Sequence, residues 1–325
     1  MRALLCKEHG PASKLVVEEV DDPTPGKGEL LIQVAAAGLN FPDTLIIQGK
    51  YQMQPPMPFS PGGEAAGTVI AVGEGVKRIQ VGQRVIALCM VGAFAEKLVA
   101  PELAVVPMPD EMDFETAAGF TLTYATSYYA LKQRAKLQAG ESLLVLGAAG
   151  GVGLAAVELG RVMGAEVIAA ASTDEKLAAT KEAGATHLLN YSKDDVKKTV
   201  KELTEGRGVN VVYDPVGGEL SEQSLRATAW DGRFLVIGFA SGDIPKIPLN
   251  LPLLKGLHIV GVFWGSWLTQ FPKESMGNMM ELFTFYKEGK IKPKVTQTYT
   301  LDQYEEAFGV LTGRRAIGKV VFKVS

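Results

Sequence analysis

The chain reads as an α/β protein of two domains: a doubly wound sheet of six parallel strands joined to a β-rich domain. Three observations predict it. Residues 142–153, SLLVLGAAGGVG, run from an apolar strand into a tight glycine turn, and a helix-forming segment, LAAVELGRVMGA, follows at once. Strand and helix signals then alternate as far as residue 262. The first 120 residues are β-rich, and the tail returns to strand with GKVVFKV.

Taken in order, strands are expected at 2–6, 15–20, 29–37, 66–72, 84–87 and 93–100, separated by turns such as DDPTPGKGE, QPPMPFSPGG and VGEG. A helical stretch over 115–135, ETAAGFTLTYATSYYALKQRA, leads to the glycine turn. Beyond it come strands 142–146, 166–170, 187–189, 209–213, 233–237 and 258–262, with helices at about 151–163, 174–183, 193–204 and 219–229. A Pro-rich coil, ASGDIPKIPLNLP, joins the fifth and sixth of these strands, and a helix follows at about 273–289. The simplest topology folds the tail back on the first domain. That places one discontinuous domain at 1–120 and 290–325, and the doubly wound domain at 121–289.

Composition sets bounds. The chain has 325 residues, is 47% hydrophobic and 21% charged, and carries a formal net charge of −3. No Lys/Arg block suggests nucleic acid. Cys6 and Cys89 are too few for a disulfide framework or a four-thiolate zinc site. No apolar run is long enough to span a membrane, and Met1 leads straight into a strand-like run, so a soluble cytoplasmic protein is expected.

The glycine turn has G-x-x-G-x-x-G spacing, and Gly150, Gly151, Val152 and Gly153 are expected to approach a nucleotide pyrophosphate at the helix start. The second strand runs EVIAAASTDEK and ends on Ala170-Ala171, without the carboxylate that would hold a ribose 2′-hydroxyl. Ser172, Thr173 and Lys176 follow, and Tyr191 comes after the third strand; hydroxyls and an ammonium suit a 2′-phosphate, so NADPH is expected. A plainer reading has Ser172 or Thr173 cap the next helix, with Asp174 and Glu175 in its first turn. Gly238-Phe239 and Phe263-Trp264, after the fifth and sixth strands, should lie beside the cofactor at the strand carboxyl ends.

Four spaced motifs, GLNFPDTLIIQGKY (38–51), GGEAAGTVIAVGEGV (62–76), GESLLVLGAAGGVGLAA (140–156) and DPVGG (214–218), resemble those of the medium-chain dehydrogenase/reductase superfamily, in particular its zinc-free quinone oxidoreductase, zeta-crystallin-like branch. The resemblance covers essentially the whole chain and implies a GroES-like catalytic domain joined to a Rossmann domain. One departure is Glu158, where the family usually has Gln; it is expected on the helix surface. Zinc alcohol dehydrogenases of the superfamily carry a Cys in the segment matching 38–43 and a His in a Gly-His-Glu matching 62–64, whereas this chain has Asn40 and Gly63. His9, His187 and His258 are far apart in sequence, so no metal ligand set is expected.

The resemblance implies a set of site residues. Asn40 offers an amide to a substrate carbonyl or a water, and Asp43 is an acid that serves either chemistry or a local hydrogen bond. Tyr51 is a pocket tyrosine that contacts the nicotinamide, donates a proton or simply packs. Thr126 is a hydroxyl facing the nicotinamide at the domain junction, and Lys319 in the closing GKVVF is a secondary candidate. The activity implied is NADPH-dependent hydride transfer, without zinc, to a quinone or an α,β-unsaturated carbonyl. An enoyl-thioester reductase and an NADPH-binding structural or RNA-binding protein are the alternatives. The apolar sixth strand, Leu257 to Val262, is an exposed edge, and a homodimer is expected to cover it.

Overall fold

A computed structural model describes all 325 residues. In chain order its elements are β1 (Arg2–Leu5), β2 (Val16–Glu19), β3 (Glu29–Leu39), α1 (Phe41–Ile46), β4 (Glu64–Val72), β5 (Arg84–Leu88), β6 (Lys97–Pro101), β7 (Val105–Pro107), α2 (Phe114–Ala118) and α3 (Thr121–Tyr129). A π-helical turn, Ala130–Arg134, precedes β8 (Ser142–Val145), α4 (Gly151–Val162), β9 (Glu166–Ala171), α5 (Asp174–Glu182), β10 (His187–Asn190), α6 (Val196–Leu203), β11 (Val209–Asp214), α7 (Glu219–Ala227) and β12 (Thr228–Val236). Then come α8 (Asn250–Lys255), β13 (His258–Gly261), α9 (Trp264–Gln270), α10 (Pro272–Lys287), β14 (Val295–Tyr299), α11 (Tyr304–Thr312) and β15 (Lys319–Lys323). No helix is long and apolar enough to cross a membrane.

The chain divides into two compact units, Met1–Leu122 with Pro293–Ser325, and Thr123–Lys292. In the first, a GroES-like unit, seven strands form one sheet in the order β14-β15-β3-β4-β5-β7, with β6 also pairing β3. Burial along β3 alternates until its last residues, which are buried on both faces. Phe94 packs edge-on against Phe322 of β15 and Phe308 of α11, with centroids 4.7 and 6.3 Å apart. That aromatic group draws the tail into the core of this unit.

The second unit is the Rossmann sheet, six parallel strands in the order β10-β9-β8-β11-β12-β13. Strand order reverses between β8 and β11. In open α/β sheets the carboxyl ends at such a reversal are where ligands bind. Strand β8 is buried throughout, as a parallel strand covered on both faces must be.

Several local expectations are corrected. The helical stretch before the glycine turn is broken into α2, α3 and the π turn, because Gly119 ends α2. Helix α7 stops at Ala227 and β12 begins at once, with Trp230 and Asp231 exposed at a register irregularity. The Pro-rich connection contains the short helix α8, which ends on Gly256 in the left-handed region at φ 59°. The β tail contains α11, whose buried Ala307, Phe308 and Val310 lie at helical spacing. Glu158, expected on the surface, is only 7% exposed.

Candidate active site

Two groups of residues carry chemistry, one in each unit. In the Rossmann unit, Leu146 N–H bonds the Tyr213 carbonyl and Ala148 N–H bonds the Ala170 carbonyl, both at 3.0 Å, so the turn after β8 is pinned to both neighbouring strands. Gly147 takes φ +55°, and a Cβ on Gly153 would lie 2.3 Å from the Gly147 carbonyl oxygen. Glycine is therefore required for helix α4 to start this close to the strand. Gly150 is the N-cap. The N–H groups of Gly151, Val152 and Gly153 have no acceptor further back in the helix, which leaves them able to donate to an anion.

Ser127, which the sequence reading passed over, supports this turn. Its hydroxyl lies 3.0 Å from the Val152 carbonyl, 2.8 Å from that of Thr123 and 2.9 Å from the Tyr213 hydroxyl. Its neighbour Thr126 is half-buried on α3. Glu158 faces inward because Tyr124 donates to it at 2.6 Å and Lys292 N–H donates at 3.1 Å; burial pushes its carboxyl up. Trp267 stacks on Tyr129 and Phe271, a packing role.

At the ends of β9 and β10, Asn190 sits in register with Ala171, and Tyr191 N–H bonds the Ala171 carbonyl at 3.1 Å. Ser172, Thr173, Lys176 and Tyr191 are thus gathered at one corner. The Thr173 hydroxyl accepts from Lys176 N–H at 3.3 Å, the capping role, while the Lys176 ammonium donates to the Ser172 hydroxyl at 3.2 Å. The Asp174 carboxylate is engaged by Lys193 at 2.6 Å and Asn190 at 2.7 Å, which hold its pKa down. The acid that would repel a phosphate here carries its own counter-ion.

The loop after β12 is held on the loop after β11. Ala240 and Ser241 N–H groups bond the Pro215 and Val216 carbonyls, and a Cβ on Gly217 would lie 3.0 Å from the Phe239 ring. The buried Asp214 carboxylate anchors the DPVGG turn through Val216 N–H, Gly217 N–H and the Ser221 hydroxyl. Gly238 and Phe239 are half-buried, whereas after β13 Phe263 is 56% exposed and Trp264 is buried at the start of α9.

In the GroES-like unit, Asn40 and Asp43 open helix α1. Asp43 accepts from Asn40 N–H at 2.7 Å, and Asn40 is the N-cap. Both hydrogens of the Asn40 amide are committed, to the Gly38 carbonyl at 3.1 Å and to Glu64 Oε1 at 3.0 Å. The expectation that this amide donates to a substrate carbonyl is corrected: it has no hydrogen left to give. Asn40 Oδ1 accepts from the Lys319 ammonium at 2.6 Å, and Lys319 also donates to Glu64 Oε1 at 2.8 Å and to the Leu39 carbonyl at 3.0 Å. Glu64 is fully buried, and neither its role nor the importance of Lys319 was read from the sequence. The Tyr51 hydroxyl carries no hydrogen bond within the protein; burial and the nearby Asp43 raise its pKa and keep it a donor. Cys89 Sγ donates to the Gly62 carbonyl at 3.4 Å.

Asp43 is 2% exposed, and its pKa is pushed up to about 7, chiefly by burial, against the lowering effect of Asn40 N–H and Lys319; Glu64 adds to the rise. The folded state therefore holds a proton that the unfolded chain releases near pH 4. Stability should fall as pH rises from about 4 to about 7, by up to about 1.4 kcal/mol per pH unit, and level off above that. Denaturant unfolding at pH 5 and pH 7 measures this; Asp43→Asn should flatten the difference, and an unchanged slope would contradict it.

Residues 26–110 match the family described as "Alcohol dehydrogenase GroES-like domain", and residues 151–284 the one described as "Zinc-binding dehydrogenase". A quinone oxidoreductase-like protein 2 homolog from Nematostella vectensis is 40% identical over 324 residues, covering 98% of this chain and 88% of that one. The chain belongs to the quinone oxidoreductase family. A quinone oxidoreductase from Pseudomonas aeruginosa is 35% identical, covering 96% of each chain. The structure of Escherichia coli quinone oxidoreductase complexed with NADPH is similar at a TM-score of 0.94, 31% identical over 99% of this chain and 100% of that one.

The name of the second matched family implies zinc, and the residues here do not suit it. No three His, Cys, Asp or Glu side chains come together in a way that could hold a metal ion. Within this quinone oxidoreductase family member, Asn40 and Gly63 stand where zinc relatives were expected to place Cys and His, and the Asn40 amide is spent on Lys319 and Glu64. A tetrahedral nitrogen and sulfur set is missing.

Proposed function

We propose that the chain is an NADPH-dependent, zinc-independent reductase of quinones or α,β-unsaturated carbonyls. The observation that carries this reading is the donor set around Asn40: where a metal-dependent relative needs thiolate and imidazole, it offers a saturated amide and a glycine. An acceptor reduced there must be electrophilic in its own right. NADPH, when bound, supplies the hydride. The first-turn N–H groups of Gly151, Val152 and Gly153 would hold its pyrophosphate, and Ser172, Thr173, Lys176 and Tyr191 its 2′-phosphate. Gly238, Phe239, Phe263 and Trp264 supply the loops beside it. Tyr51 is the group able to donate to the acceptor oxygen, with Asp43 and Asn40 shaping the start of α1 and Thr126 contributing a hydroxyl on α3. The NADPH complex of the similar E. coli enzyme supports the cofactor choice. Steady-state assays with NADPH against a panel of quinones and enals, with a chelator present, test the proposal. Folded protein that binds NADPH yet reduces none of them would overturn it.

Lys176→Ala should raise the Kd for NADPH by about tenfold, the worth of one charge-assisted hydrogen bond, and leave that for NADH within about twofold. Fluorescence titration with both nucleotides measures it; equal effects would remove Lys176 from the phosphate site.

The macromolecular partner we propose is a second copy of the chain. Strand β13 is the edge of its sheet, Ile259 on it is 43% exposed, and Leu253 and Leu254 of the preceding helix α8 are 79% and 68% exposed. Bare apolar edges of this kind invite pairing. Light scattering at micromolar concentration should give twice the monomer mass, and Ile259→Lys should halve it; a wild-type monomer would refute the dimer.

A further inference from the structure

We infer that Lys319, Glu64 and Asn40 form a closed internal clamp in place of a metal centre, and that Lys319 is a positioning residue which fixes Asn40 and the start of helix α1. The inference rests on the reductase reading above for its functional consequence. The three side chains bond one another in a triangle: Lys319 Nζ to Asn40 Oδ1 at 2.6 Å, Lys319 Nζ to Glu64 Oε1 at 2.8 Å, and Asn40 Nδ2 to Glu64 Oε1 at 3.0 Å. The third ammonium hydrogen goes to the Leu39 carbonyl at 3.0 Å. Side-chain exposure is 7% for Lys319 and 0% for Glu64.

The fold makes room for this clamp on two sides. A Cβ on Gly38 would come within 2.6 Å of Glu64 Oε1, and one on Gly119 within 2.8 Å of Lys319 Cγ. The second carboxylate oxygen of Glu64 accepts from Leu122 N–H at 2.9 Å. One buried ion pair therefore ties together the end of β3, the start of β4, the first turn of α3 and strand β15.

The ammonium is saturated by three acceptors, so it has no donor to offer a substrate and cannot polarise a carbonyl as a metal would. What it can do is set orientation. Turning the Asn40 amide over would aim its NH2 at the ammonium and its oxygen at the carboxylate, so only one orientation is allowed. Asn40 N–H in turn holds Asp43, which fixes the first turn of α1, and α1 runs on toward the segment that carries Tyr51.

Removing Lys319 alone would strand a buried carboxylate and risks unfolding, so the informative variant is the double one, Lys319→Met with Glu64→Gln, which removes both charges. It should fold and bind NADPH with a Kd within about threefold of wild type, while kcat with 1,4-naphthoquinone falls by about tenfold or more and KM changes little. Amides of residues 40–46 should exchange hydrogen faster. Lys319→Arg, which keeps the charge and the donors, should recover both kcat and amide protection. A double variant with wild-type kcat, or one whose amides at 40–46 stay as protected as in wild type, overturns the clamp. Wild-type protein that binds NADPH but reduces neither quinones nor enals sinks the reductase reading instead, and the exchange measurement still decides the clamp.

Discussion

Gly153→Ala should lose nucleotide binding and stability together, whereas Gly150→Ala should lose binding alone. The added methyl at 153 would lie 2.3 Å from the Gly147 carbonyl oxygen and 2.8 Å from the Ala148 backbone. These are backbone atoms, already fixed by the bonds that tie the turn to β9 and β11, so the helix itself must move. Overpacking of this kind costs about 1–3 kcal/mol. Moving the first turn of α4 misdirects the N–H groups that would receive the pyrophosphate, and affinity should drop by about 100-fold, roughly 2.7 kcal/mol. At Gly150 the backbone is extended and the nearest atom to a new methyl is 3.5 Å away, so the fold has room. A methyl there lies at the N-cap that a pyrophosphate would approach. Thermal unfolding and NADPH titration of both variants measure the contrast; tight NADPH binding by Gly153→Ala would refute the placement of the cofactor on this turn.

Glu64→Ala should be the most destabilising single change in the GroES-like unit. It leaves the Lys319 ammonium buried without a counter-charge, frees Leu122 N–H and opens a cavity. Breaking a buried pair from one side typically costs about 3–5 kcal/mol. Urea unfolding should show a loss of that size, and adding Lys319→Met should return part of it, because the stranded charge goes with the lysine. A loss below about 1 kcal/mol would mean that the pair contributes little.

The sequence disclosed best what is local. Strand β8, the glycine turn and α4 are contiguous, and each step has its own signature: an apolar run, glycines at close approach, then helix formers. The corner of Ser172, Thr173 and Lys176 was visible for the same reason, although the ion pair that neutralises Asp174 comes from Lys193, on the far side of β10. Glu158 was misjudged because its partners lie 34 and 134 residues away, and a charged residue on a helix is usually solvated. The clamp was invisible for a stronger version of that reason, since Lys319 and Glu64 are 255 residues apart. Asn40 stood out in the sequence, but its hydrogen-bonding capacity is set by those distant partners. Helix α11 hid in a tail dominated by the strand signals at 295–299 and 319–323, and α8 hid behind its prolines.

The position of β15 carries a consequence for how the protein is made. Lys319 bonds the Leu39 carbonyl across 280 residues of chain, and β15 lies inside the sheet, between β14 and β3. During translation, at roughly 5–20 residues per second, β3 waits on the order of tens of seconds for its neighbour. The Rossmann unit, residues 123–292, is synthesised in that interval and needs nothing from the tail for its own sheet. A nascent chain halted before residue 319 would therefore carry a finished nucleotide-binding unit and an open β-sheet with an uncompensated carboxyl at its centre. The GroES-like sheet would close, and the Glu64 carboxyl gain its partner, only when the ribosome has delivered β15.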